Sequence, residues 1–123
     1  MLTRSNRSFV VLNKFPYSPG HILVIPNRHV GDLEELDDDE GLDLQRLLRG
    51  SVKALREEYA PHGFNIGMNL VRVAGAGVPD HLHWHVVPRW SADTSFMPVV
   101  GETIVLPELV AETARRLAPR FDQ

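Results

Sequence analysis

Apolar and polar residues alternate strictly from His81 to Val87, with Leu82, Trp84 and Val86 on one parity and His81, His83 and His85 on the other. A period of two marks a half-buried β-strand, and successive strand side chains point to opposite faces. The pattern predicts a strand over 81–87 with three imidazoles on one face and Leu82, Trp84 and Val86 packed on the other. At ~3.3 Å per residue, neighbouring histidines on a straight strand stand roughly 6.6 Å apart. Such a row suits an extended anion better than a single atom.

The rest of the chain has the same two periodicities. Ser8 to Leu12 reads as a strand, and His21 to Ile25 as a short buried strand closed by Pro26, paired with the first as a hairpin. The turn between them contains Pro16, Pro19 and Gly20. Asp32 with Glu35 three residues on resembles a capping box, so one helical turn is expected at 32–36. Leu44, Leu47, Leu48, Val52, Leu55 and Tyr59 recur at helical spacing, predicting a long helix over 39–60 with one face on the sheet. The acidic run Asp37 to Glu40 is expected to be its solvated, dipole-complementing start, and Pro61-His62-Gly63 stops it. Phe64 to Leu70 alternates as a third strand, which Val71-Arg72-Val73 can extend. A small-residue loop, 74–80, leads into the histidines, and a short strand is expected at 95–100. Leu106, Leu109, Val110, Ala114 and Leu117 mark an amphipathic C-terminal helix with Pro107 near its first turn. The order β-β-α-β-β-α with short connections predicts an α+β fold: an antiparallel sheet carrying a long helix on one face.

Composition narrows the function. The chain has 123 residues, enough for one domain with a real core, and we expect a single domain over 1–123. Its net charge of −3 provides no bulk attraction for nucleic acid or an anionic membrane. It has no cysteine, which removes disulfides, thiol catalysis and thiolate metal sites. No apolar run approaches the ~20 residues of a membrane span, and the polar start Met1 to Arg7 lacks the apolar core of a signal peptide. These features point to a cytoplasmic protein.

Three readings compete for the histidine row. A merely solvated strand face would have to gather His81, His83 and His85, half of the chain's six histidines, by accident. A zinc site needs ligands converging at ~2.0–2.1 Å; two neighbouring histidines can do that, with His21 or His29 completing the set, but a straight strand holds the third away. The third reading is nucleophilic attack on phosphorus. A neutral imidazole is a good nucleophile near pH 7, and a covalent intermediate divides a difficult displacement into two easier steps. The Gly-Ala-Gly loop before the row supports this, because backbone N–H groups in a small-residue loop can approach an anion closely. Trp84 is expected in the core. Trp90 and Arg89 are open between edge packing and the site, and His29 and His62 fall in solvated turns.

His81-Leu82-His83-Trp84-His85-Val86-Val87 resembles the His-φ-His-φ-His-φ-φ signature of the histidine-triad (HIT) superfamily of nucleotide hydrolases and transferases. Upstream, Asn13, Pro16-Tyr17, Pro19-Gly20-His21 and the apolar strand ending in Pro26 are similar to the pattern that precedes it. The resemblance covers about residues 8 to 118. Pro88-Arg89-Trp90 and Phe64-Asn65-Ile66-Gly67 look like the fragile-histidine-triad and diadenosine tetraphosphate phosphorylase branch, with Hint-type phosphoramidases a poorer match.

The resemblance implies a HIT-like antiparallel sheet of about five strands, one long helix and a C-terminal helix. It also implies attack on the α-phosphate of a dinucleoside polyphosphate. The nucleotidyl-enzyme would then be cleaved by water in a hydrolase or by orthophosphate in a phosphorylase. By this resemblance His83 is the nucleophile, His85 steadies the phosphate, and His81 and His21 orient the site. Asn13 binds the ribose hydroxyls, Asn69 contacts the phosphate or the leaving side, and apolar residues of the early strands, with 22–25, sandwich the base. No metal or other cofactor is required, and magnesium enters, if at all, with the polyphosphate. A two-fold homodimer is implied, with the main helix and its flanking strand as the candidate contact. Ala76 and Gly77 replace the side chains that this loop carries in the fragile-histidine-triad pattern, so backbone N–H groups must bind the leaving phosphates. The choice between hydrolase and phosphorylase stays open. Members of the branch often have a longer N-terminal segment, so a short or truncated one is expected here. A Hint-like phosphoramidase and a non-catalytic nucleotide- or zinc-binding module are the alternatives.

Overall fold

The computed structural model describes residues 1–13, 19–70, 81–91 and 109–121. Five antiparallel strands form one sheet in the order β1-β2-β3-β5-β4. These are β1 (Thr3–Arg4), β2 (Ser8–Leu12), β3 (Ile22–Pro26), β4 (Gly63–Gly67) and β5 (Trp84–Arg89). Helix α1 (Asp38–Tyr59) lies against β2, β3 and β5, and helix α2 (Val110–Phe121) packs on α1. The fold is α+β, as expected.

The alternation of β2 and β3 sends Val10, Ile22 and Val24 to the α1 side, where with Leu44, Leu48, Leu55, Val86 and Leu117 they form the core. Leucine and valine side chains removed from water contribute about 1.5–3 kcal/mol each. The opposite parity, Phe9, Val11, Leu23 and Ile25, is only half-buried and forms an apolar shelf on the other face.

Several sequence expectations shift. The strand count comes out at five through β1, which the polar N-terminus did not suggest; the segment 95–100 lies outside the described residues. β4 ends at Gly67 rather than Leu70, and the proposed extension at 71–73 is likewise outside. At 32–36 there is a single 3-10 turn (Leu33–Glu35), but the Asp32 side chain makes no cap, and Glu35 accepts from the Gly31 N–H (3.2 Å). The capping box belongs instead to Asp37 and Glu40 at the start of α1, each side chain bonded to the other's backbone N–H. Glu40 is not solvated: it is 4% exposed. Helix α1 ends where Ala60 turns into the left-handed region (φ 46°) before Pro61.

In α2 the buried stripe is Thr113 and Leu117, flanked by Ala114, Ala118 and Phe121. Leu109 precedes the helix and so escapes its periodicity, standing 77% exposed, and Val110 is exposed as well. Leu106 and Pro107 lie outside the described residues. Glu58 of α1 receives Arg116 (2.7 Å) and Arg120 (3.2 Å), tying the helices together. No helix among the described residues is long and apolar enough to cross a membrane.

Candidate active site

The histidine strand starts later than its alternation predicts. β5 begins at Trp84, and β3 pairs with it only through Val24↔Trp84, Leu23↔His85 and Ile22↔Val86. Beyond Val24, β3 runs into Pro26, which has no N–H to offer a ladder. Residues 81–83 are held instead by the 26–30 segment. The Leu82 N–H donates to the Val30 carbonyl (2.7 Å), and His81 Nε2 donates to the Pro26 carbonyl (3.0 Å). Leu82 and His83 are consecutive, yet both are buried, which no straight strand exposed on one side allows. At the far end, Pro88 is tolerated because only β4 pairs there, with Phe64 opposite it.

The three imidazoles are therefore not an evenly spaced row. His83 and His85 approach to 4.9 Å between ring centroids, whereas His81 turns to Pro26 and meets the ring of His29 edge-on at 5.1 Å. His29 is exposed, as expected, but it borders the site rather than standing apart from it. Trp84 faces α1 with the core, as its parity requires. His62 is exposed and accepts from the Ser91 N–H (2.6 Å), and Arg89 donates to Asn65 Oδ1.

His21 is the partner of His85. It stands just beyond the β2–β3 hairpin pairing, and Gly20 before it has φ 84°. A Cβ at Gly20 would lie 2.7 Å from Leu55 Cδ2, so both conformation and space demand glycine there. His21 Nε2 is 3.0 Å from His85 Nδ1, and Asn13 Nδ2 is 3.2 Å from His21 Nδ1.

Asn13 Nδ2 is nearer His21 Nδ1 (3.2 Å) than Nε2 (3.5 Å), and the shorter contact assigns the protons. An amide nitrogen can only donate, so Asn13 makes His21 Nδ1 an acceptor. The His21 proton then sits on Nε2 and is donated to His85 Nδ1, which leaves the His85 proton on Nε2. On His83 the argument runs the other way. Its Nδ1 lies 3.0 Å from the His81 carbonyl oxygen, which can only accept. His83 therefore carries its proton on Nδ1 and a lone pair on Nε2.

For His21 and His85 the electrostatics favour the neutral ring. Burial, aided by His85 and His83, pushes His21 down to about 4 from its ordinary 6.5. His85 is also held below its ordinary value, first by burial and second by His83. The site thus presents a nucleophilic nitrogen beside a hydrogen-bond donor, next to the shelf of Val11 and Leu23, since His85 and Leu23 are direct cross-strand partners.

Of the other residues expected here, Asn69 lies two residues past β4. The register Gly67↔His85, carried on, sets it opposite His83, although pairing has already stopped. Ala76 and Gly77 lie outside the described residues. The Pro26 and Val30 carbonyls that hold residues 81–82, and the Arg28–Glu40 ion pair, were not anticipated. Arg28 and Glu40 are far apart in sequence, and backbone carbonyls leave no side-chain signature.

Paired histidines at an inner strand of the sheet, following an Asn…His hairpin, define the class, and the chain belongs to the HIT-domain family, whose model matches residues 1–92. It is 41% identical over 121 residues to an AP-4-A phosphorylase of Mycobacterium tuberculosis, which covers 98% of this chain and 62% of that protein's length. It is 37% identical over 92 residues to an asymmetrical bis(5'-nucleosyl)-tetraphosphatase of Schizosaccharomyces pombe, covering 75% of this chain and 50% of that protein. Among solved structures, a zinc-bound histidine triad family protein of Mycobacterium smegmatis superposes with a TM-score of 0.78 at 25% identity, covering 99% of this chain and 83% of that one.

Proposed function

We propose that this chain is a nucleotidyl transferase acting on dinucleoside polyphosphates, with His83 as the nucleophile and orthophosphate as the acceptor. The observation that carries the reading is the pair of opposed tautomers, a lone pair on His83 Nε2 beside a proton on His85 Nε2. In the first step His83 Nε2 attacks the α-phosphorus. The bond to the bridging oxygen breaks, and the remaining nucleoside polyphosphate leaves as an anion. His85 Nε2–H donates to a non-bridging oxygen whose charge grows in the transition state. In the second step an orthophosphate oxygen attacks the same phosphorus, the P–N bond breaks, and a nucleoside diphosphate leaves as His83 regains its lone pair. The likeness to the phosphorylase over nearly the whole chain favours orthophosphate over water as acceptor.

In this reading His21 and Asn13 hold the His85 proton outward, and Asn13 also meets the ribose. The half-buried Val11 and Leu23 receive the base, Asn69 faces the leaving side, and the 76–77 backbone binds the distal phosphates. His81 contributes its carbonyl to His83.

The M. smegmatis neighbour is zinc-bound. Among the described residues here no group of three or more His, Cys, Asp or Glu is placed to hold a metal. His21 Nε2 and His85 Nδ1 are, moreover, committed to each other. Magnesium enters only as the counter-ion of the polyphosphate.

A second copy is proposed against α1 and the β4 edge. A groove of about 650 Å³ there is lined by Leu48, Val52, Ile66 and Trp84, and Ile66 is 48% exposed. Light scattering on Ile66→Glu checks this: a dimer in the parent and a monomer in the variant is the expected result.

The deciding experiment incubates the protein with diadenosine tetraphosphate, with and without orthophosphate. ADP formed only with phosphate, through an acid-labile adduct on His83, is expected. AMP formed without phosphate would make the chain a hydrolase, and a preference for adenosine phosphoramidates a phosphoramidase. Stoichiometric zinc with no adduct would make it a binding module.

A further inference from the structure

Residues 81–83 stand outside the ladder with β3, yet the His81 carbonyl must be placed to tenths of an ångström to hold a proton on His83 Nδ1. The 26–30 segment supplies that placement: the Pro26 carbonyl takes the His81 side chain, the Val30 carbonyl takes the Leu82 N–H, and the His29 ring lies against His81. These contacts do for 81–82 what strand pairing does for 84–89. The segment is itself anchored through Arg28. Its Nε and Nη2 reach Glu40 Oε2 and Oε1 at 2.9 and 2.7 Å, and Nη2 also reaches the Glu35 carbonyl at 2.7 Å. Glu40 is buried at the first turn of α1 and accepts the Asp37 N–H as well (3.0 Å).

We propose that the Arg28–Glu40 ion pair is a positioning device for the nucleophile, holding the 26–30 segment against residues 81–82 so that the His81 carbonyl fixes the tautomer of His83. The planar guanidinium meets the carboxylate through two parallel bonds, which sets orientation as well as distance. Without Arg28, a buried carboxylate would keep only the Asp37 N–H and would have to draw in water, and the cheapest way to admit it is to move the segment. Helix α1 thus does two jobs: its apolar face covers the sheet, and its first turn sets a backbone carbonyl in the site. The proposal rests on His83 being the nucleophile, but the quantity it concerns, the position of one proton, exists without substrate.

The test is nitrogen-15 NMR of the histidines in the 123-residue chain, without ligand, for the parent, Arg28→Met and Glu40→Gln. The parent should show His83 protonated on Nδ1. Arg28→Met should show a mixture of tautomers, with adduct formation from diadenosine tetraphosphate slowed about tenfold and KM little changed, as for a misplaced rather than a missing group. Glu40→Gln keeps an acceptor for both Arg28 and Asp37, so it should fold and fall between the two; it decides the matter if Arg28→Met does not fold. Glu58→Gln, which loosens the distant α1–α2 ion pairs, is the control and should leave the tautomer unchanged. Folded Arg28 and Glu40 variants with the parental His83 tautomer would overturn the proposal and reduce the pair to a stabilising contact. A parent that has the tautomer but forms no adduct would overturn the catalytic reading and leave the positioning role standing.

Discussion

His83 and His85 are two residues apart, and their protons are placed by different means. His83 has its proton set by a backbone carbonyl, while His85 has its proton set by a side-chain relay through His21 to Asn13. A carbonyl cannot be removed by mutation, only displaced, whereas each link of the relay can be cut or reversed. In the proposed mechanism the contrast makes the nucleophile robust and the donor tunable, and it ranks the expected effects of substitution.

His83→Ala should have the largest effect. Losing the attacking nitrogen should reduce turnover of diadenosine tetraphosphate by at least about 10³-fold, with a circular dichroism spectrum like the parent's. Residual turnover near the parental rate would end the assignment of His83. His21→Leu fills the same space but cuts the relay, so His85 is free to place its proton on either nitrogen. Turnover should fall on the order of 10²-fold, the low end for a positioned acid–base group, and adduct should still form slowly at His83.

Asn13→Asp reverses the relay rather than cutting it. A carboxylate only accepts, so His21 would donate through Nδ1 and take a proton from His85. The His85 Nε2 facing the substrate would become a lone pair. Histidine NMR should show the exchanged tautomer on His85, with a loss of rate comparable to that of His21→Leu, on the order of 10²-fold.

Stability should follow pH through His21. Its folded value of about 4 lies below the 6.5 of the unfolded chain, so between those limits the unfolded state binds more protons. Stability is therefore full above about 6.5 and declines as pH falls toward about 4. One such proton gives a slope of up to about 1.4 kcal/mol per pH unit. Urea unfolding across this range should show the decline, and His21→Leu should flatten it; an equally steep variant would place the effect elsewhere. Glu40 acts lower: its bond to Arg28 holds it down to about 2, so its contribution is lost only as pH falls from 4.5 toward 2. Glu58→Gln should do least, lowering stability by about 1 kcal/mol with no change in turnover.

Where local pattern and tertiary contact agree, the fold is readable in advance. The α1 stripe, the hairpin of β2 and β3, and the inward parity of Trp84 and Val86 follow from periodicities that depend only on neighbouring residues. The reading fails where long-range contacts take over. Alternation over 81–87 predicted one row of histidines, but Pro26 ends the ladder and the 26–30 segment captures His81. Glu40 looked like one more charge in an acidic helix start, and only its meeting with Arg28 makes it a buried anchor. His21 was tied to the site by the motif it resembles, but its bond to His85 comes from strand register.

Residue identity by itself narrowed the chemistry open to the chain. Histidines at alternate positions after a small-residue loop, with no cysteine, already favoured imidazole attack on phosphorus over thiol or thiolate-metal chemistry. The tertiary structure alone supplies the contacts that set the protons of His83 and His85. A histidine tautomer depends on the acceptor or donor within about 3 Å of each ring nitrogen. Here those groups are a carbonyl held by a distant segment and a side chain on another strand, and no local sequence pattern encodes either one.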